Sequence, residues 1–179
     1  MEGDNMTNRL ISFFTFVITL FILCGCGGGG TKTKLLYIEK ARSLGDIIMK
    51  QAEANLNICR MYDTVWEYAK VSDMDFETAY REMTAGRADA ARLDMEANNT
   101  QMTIMLSTLE NPPKGFEMLH ERLMELWDMY GQFEAFVAKL PSVAQEEYHQ
   151  EVDIYVRDLN DIRTELQDLI TTAQNSIRQ

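Results

Sequence analysis

The chain has 179 residues, a formal net charge of −11, and 46% hydrophobic against 25% charged residues. An acidic balance of this size excludes a nucleic-acid binder, because neutralising phosphates needs clustered Lys and Arg. The aliphatic and aromatic content excludes a disordered tail, and some 150 residues beyond the N-terminal segment suit one domain with its own core.

The first thirty residues follow the order of a secretory signal. Arg9 is the one cation ahead of an uncharged, mostly apolar stretch over residues 10–23. A bilayer core of ~30 Å needs about 20 residues of helix; this shorter stretch has the length of a signal-peptide apolar region. Glu2 and Asp4 are acidic where positive charge is expected, which makes Met6 an alternative start. Leu23-Cys24-Gly25-Cys26 then resembles the lipobox of bacterial lipoproteins: an aliphatic residue, two small residues, and the cysteine that is lipidated. The resemblance implies diacylglyceryl transfer to the Cys26 sulfur and cleavage before Cys26 by signal peptidase II. Cys24 is excluded as the acceptor, since Leu23 would stand where a small residue is required. The competing readings are an uncleaved signal anchor and a chance cysteine in an ordinary signal.

Residues 1–25 are therefore expected to be a lipoprotein signal peptide, 26–34 a lipidated cysteine with its tether, and 35–179 a helical domain. Gly27 to Gly30 make the tether flexible, and Lys32 and Lys34 follow where anionic headgroups would attract them. The expected partner is membrane lipid through acylated Cys26, on the extracytoplasmic face of the cell membrane, or of the outer membrane in a Gram-negative host. Cys59 is the one other cysteine left after cleavage, with no partner for an internal disulfide. It is expected to be a small buried hydrophobe, an intermolecular disulfide being the sharper alternative.

Beyond the tether, apolar residues recur at helical spacing. Ile38, Ala41, Ile48, Ala52, Cys59, Tyr62, Trp66 and Ala69 form one stripe, interrupted by Gly45 and Asn55. Phe76, Ala79, Met83, Gly86, Ala90, Leu93, Ala97, Thr100 and Ile104 form a second, rich in small residues and expected to kink near Gly86 or Asn98-Asn99. Phe116, Leu119, Leu123, Leu126, Tyr130, Phe133, Val137 and Leu140 form a third. Tyr148, Val152, Tyr155, Leu159, Ile162, Leu166, Leu169 and Ala173 form a fourth. Ser72 or Asp73 is expected to cap the second helix, with Asp75 in its first turn. Pro112-Pro113 ends that helix, Pro141 ends the third, and Ser142 with Gln145 makes a capping box for the fourth. Short connections predict an all-α, up-down antiparallel bundle of four helices of 25–40 residues each; three helices with an arm are the alternative.

Two patterns could carry chemistry. Glu117-Met118-Leu119-His120 and Glu146-Glu147-Tyr148-His149 both have the Glu-x-x-His spacing by which ferritin-like bundles hold two metal ions. In a hairpin turning near Pro141 the two histidines fall ~20 Å apart, so no metal ligand set is expected from them. Eight methionines crowd the middle of the chain, from Met74 to Met129. They could be soft Cu(I) ligands or a groove for partner helices; filling irregular core gaps is the simpler reading. No nucleophile elbow or phosphate-binding glycine loop is present. Asn111-Pro112-Pro113-Lys114-Gly115-Phe116, with Leu119-His120, Leu126 and Tyr130, resembles a segment of uncharacterised helical lipoproteins of Gram-positive bacteria, which implies the outer face of a Gram-positive cell membrane and carries over no assigned activity. The expectation is a non-enzymatic interaction or structural module with no cofactor, no small-molecule substrate and a protein partner through its helical faces. A ferritin-like metal-binding bundle and a subunit of a larger envelope complex are the competing readings.

Overall fold

The computed structural model describes residues 30–84 and 88–178, with backbone alone for 88–97. The expected signal segment, Cys26 and the expected kink at Gly86 lie outside the described residues. Among the described residues five helices follow in order: α1 (Thr31–Ser72), α2 (Phe76–Thr84), α3 (Ala88–Ser107), α4 (Glu117–Val137) and α5 (Gln145–Arg178). Among the described residues there is no strand. Their lengths of 42, 9, 20, 21 and 34 residues are less even than expected. At 1.5 Å per residue α1 is about 63 Å long, and it takes Thr31 to Lys34 into its first turn.

Side-chain contacts fix the directions of the helices. Tyr37 Oη lies 3.1 Å from His120 Nδ1, and Tyr62 Oη donates to the Val137 carbonyl at 3.1 Å. Helices α1 and α4 therefore run the same way. Arg42 donates to Gln174 at 3.0 Å and Tyr148 Oη to Cys59 Sγ at 3.4 Å, which sets α5 against α1. Arg122 reaches Glu165 at 2.9 Å while Phe136 stacks on Tyr148, so α5 also opposes α4. Asn98 Nδ2 to Gln51 at 3.1 Å and Tyr37 Oη to the Leu109 carbonyl at 3.4 Å set α3 against α1. Helices α1, α4 and α5 pack on one another, and α2 and α3 both lie along α1.

The core is built from the predicted stripes. From α1 come Ile38, Ala41, Ile48, Ala52, Cys59, Tyr62 and Ala69; from α4, Leu119, Leu123, Leu126, Tyr130, Phe133 and Val137, all buried. Gly45 lies in the α1 stripe because α5 comes close there: a Cβ would meet Leu166 Cδ2 at 3.0 Å. In α5, Ile170 is buried and Leu169 only partly so. A 3.6-residue turn drifts about 20° per heptad against a strict seven-residue repeat, and over six turns the drift selects Ile170.

The second stripe is where the expectation fails. Ile104 is 61% exposed, Met83 37% and Thr100 exposed, while Met102, Met105 and Leu109 are buried. The buried residues of α3 do not continue the phase set by Phe76 and Ala79 in α2. Helix α3 runs unbroken through Asn98-Asn99. Leu140, predicted buried, is 38% exposed, because α4 ends at Val137 ahead of Pro141.

The caps differ too. Helix α1 runs through Ser72, Asp73 adopts the left-handed conformation (φ 53°), and the Met74 amide donates to the Ala69 carbonyl at 3.0 Å. This is a Schellman-type ending, usually built on glycine. The cap of α2 is Asp75, whose carboxylate accepts from the Thr78 amide at 2.9 Å and the Thr78 hydroxyl at 2.8 Å. Those hydrogen bonds hold the Asp75 carboxyl below its ordinary range. No capping box forms on α5: Gln145 turns across to α1, donating to Asp63 at 3.3 Å and accepting from Lys70 at 3.1 Å.

Candidate functional site

Three polar constellations are spaced along α1. At its N-terminal end Tyr37 is buried, stacks on Phe116 with centroids 6.1 Å apart, and spans Leu109 and His120. Lys34 Nζ stands 5.5 Å above the Phe116 ring. Burial pushes the Tyr37 hydroxyl up to about 12. His120, one of the histidines of the Glu-x-x-His pair, is thus a partner of Tyr37 beside the α3–α4 loop.

The middle layer joins α3 to α1 and α4 through polar groups. Asn99 Nδ2 donates to both Glu134 oxygens at 2.6 and 2.7 Å, and Tyr130 Oη donates to Asn99 Oδ1 at 3.1 Å. Asn98 reaches Gln51. Burial, then the neighbouring Glu134 carboxylate, raises the Tyr130 hydroxyl. One turn of α1 beyond Gln51, Asn55 is 1% exposed and its Nδ2 has no hydrogen-bond partner. A groove of about 470 Å³ runs between α1 and α5 over Phe133, with Met49, Leu56, Val156 and Leu159 on its walls and Arg163 at its side.

The C-terminal end of α1 carries the densest cluster. Tyr62, Trp66, Phe76, Tyr80, Phe136 and Tyr148 are in mutual ring contact, with centroids 4.7–5.9 Å apart in the pairs that join them. Edge-to-face and offset pairs of this kind add about 0.5–1.5 kcal/mol each beyond area burial. His149 Nε2 lies 2.5 Å from Asp63 Oδ1, on the edge of Trp66. Cys59 sits inside, 5% exposed, and burial pushes its thiol up, away from the thiolate. It is a buried small side chain facing Tyr148.

The structure does not bring the two Glu-x-x-His motifs together. His149 is next to Tyr148, which stacks on Phe136, and Phe136 is 16 residues from His120 along α4. That spacing is about 24 Å at helical rise. Among the described residues no group of three His, Cys, Asp or Glu is placed to hold a metal ion. The methionines disperse: Met102 and Met105 are buried, Met118 is 69% exposed. The Asp63–His149 pair and the Asn99–Glu134–Tyr130 network were not legible in the sequence, because their members come from different helices. Asn55 alone left a signal, as a break in an apolar stripe.

No family model matches the chain, and neither the curated proteins nor the solved structures contain a match. Among the described residues no helix is long and apolar enough to cross a membrane.

Proposed function

We propose that the chain is a membrane-anchored extracytoplasmic lipoprotein whose folded part is a non-enzymatic interaction module. The observation that carries the reading is Leu23-Cys24-Gly25-Cys26, behind an apolar stretch of signal-peptide length and ahead of a glycine tether. Acylated Cys26 is the attachment to lipid. In this reading α2 and α3 act as one broken helix, and the unit is an up-down antiparallel bundle of four; the helix directions support it. The anchor is tested by Cys26→Ala, which is expected to abolish fatty-acid labelling and leave uncleaved precursor. Persistent labelling would sink the anchor.

A role as subunit of a larger envelope assembly is favoured by one feature. The C-terminal end of α1 with its neighbours leaves Val71 86% exposed, Met74 36% and Leu140 38%. Residues 63–84 and 138–151 around them hold nine carboxylates against three Lys and Arg. Apolar side chains ringed by acidic ones suit a partner with a basic rim. Crosslinking in whole cells, followed by mass spectrometry, is expected to find links at Lys70 or Lys139; links confined to other faces would count against this end.

A further inference from the structure

The folded unit is electrically polarised along α1, and the polarity has the tether at its positive end. Three segments meet there. Lys34 lies over Phe116, Tyr37 reaches the Leu109 carbonyl, and Arg42 donates to Gln174. The first three turns of α1, the loop before α4 and the last turn of α5 are therefore neighbours. Over residues 31–42, 108–121 and 174–178 they hold Lys32, Lys34, Lys40, Arg42, Lys114 and Arg178 against Glu39, Glu110, Glu117 and Glu121. This is an excess of two positive charges in a chain of net −11. Lys32 and Lys114 are exposed, and two apolar side chains, Leu35 (39%) and Met118 (69%), are exposed in the same segments. The opposite end is the acidic one described above.

We propose that this basic end is a seat for an anionic bilayer surface, so that the bundle stands on the membrane with its acidic end outward. The proposal rests on the lipid anchor at Cys26, which would hold the end within a short glycine tether of the headgroups. Charge selects the occupant: Lys and Arg near an anionic surface are attracted within a Debye length, and exposed Leu and Met suit the boundary between headgroups and acyl chains. The acidic far end is repelled by the same surface, which adds to the orientation. Each cation near such a surface multiplies the seated population by about fivefold.

The test uses the full lipidated chain in nanodiscs of phosphatidylcholine alone or mixed with phosphatidylglycerol, read by amide hydrogen exchange and by the mass of the Cys26 peptide. On anionic discs exchange at residues 31–36 and 109–118 is expected to slow severalfold relative to neutral discs, and to recover at high salt. Lys32→Gln with Lys114→Gln, both exposed, is expected to lower the ratio of seated to unseated chains about thirtyfold and erase the difference. Equal exchange on the two kinds of disc by a lipidated chain would overturn the seat and leave the anchor standing. A Cys26 peptide without diacylglycerol would overturn both.

Discussion

Two residues in the left-handed region show how backbone conformation decides single positions. Asp73 (φ 53°) closes α1 where glycine is the ordinary choice, whereas Gly115 (φ 89°) precedes α4 with nothing within 4 Å of where a Cβ would stand. A side chain in that region costs about 1 kcal/mol from contact of Cβ with its own backbone. Asp73→Gly is therefore expected to stabilise the fold by about 1 kcal/mol, raising Tm by about 2–4 °C. Gly115→Ala should lower it by a similar amount, although the site has room; calorimetry on both variants checks the pair. A lowered Tm for Asp73→Gly would mean the Asp73 side chain contributes more than its backbone costs. The Asp75 cap has a pH signature of known sign. Its carboxyl is held below the ordinary value, so its contribution is complete above that value and disappears as pH falls through the folded one.

At the scale of helices, α4 and α5 follow their sequence periodicity, and α3 does not. Helix α4 has an apolar residue at every inward step from Leu119 to Val137, so packing and pattern agree. Among the described side chains of α3, Asn98 and Asn99 attach it through polar groups and Met102 and Met105 through buried apolar ones. Such networks specify position more than they stabilise, since every member needs its partner. Asn55 lacks one: its buried Nδ2 is an orphaned donor with a desolvation cost of about 1–3 kcal/mol. Asn55→Leu is expected to raise the urea midpoint by about 1–2 kcal/mol of stability at unchanged slope. A lower midpoint would refute the orphaned reading.

For the whole unit, the buried tyrosines set the alkaline limit. Burial raises the hydroxyls of Tyr37, Tyr62, Tyr130 and Tyr148 above the ordinary value of 10.0, Tyr37 to about 12 and the others further. A raised folded value means the folded chain keeps protons that the unfolded chain gives up. The stabilising contribution is complete below pH 10 and is lost as pH rises toward 12 and beyond. Unfolding followed by far-ultraviolet circular dichroism and tyrosinate absorbance is expected to show at least four of the seven tyrosinates forming together with the loss of helix, above about pH 10. More than three tyrosinates per chain forming well before helix is lost would show that some of these four hydroxyls are reached by solvent in the folded state.

Much of the helical pattern was present in the chain itself, because an amphipathic helix writes its buried face into every third or fourth residue. Ile38 to Ala69, Leu119 to Val137 and Tyr148 to Leu166 needed only a 3.6-residue period and the prolines that end helices. The proposed lipid anchor rests on a contiguous stretch too, Leu23-Cys24-Gly25-Cys26. Tertiary structure decided the rest. The phase of α3 depends on the faces of α1 and α4 that it meets, the caps on which amide each carboxylate or amide side chain reaches, and Gln145 on its contacts with Asp63 and Lys70 across on α1. The Tyr37–His120, Asn99–Glu134 and Asp63–His149 pairs join residues 35 to 86 positions apart, and no local spacing encodes them. The gathering of basic side chains at the tether end has the same origin: three segments distant in sequence become neighbours only when α1, α4 and α5 pack.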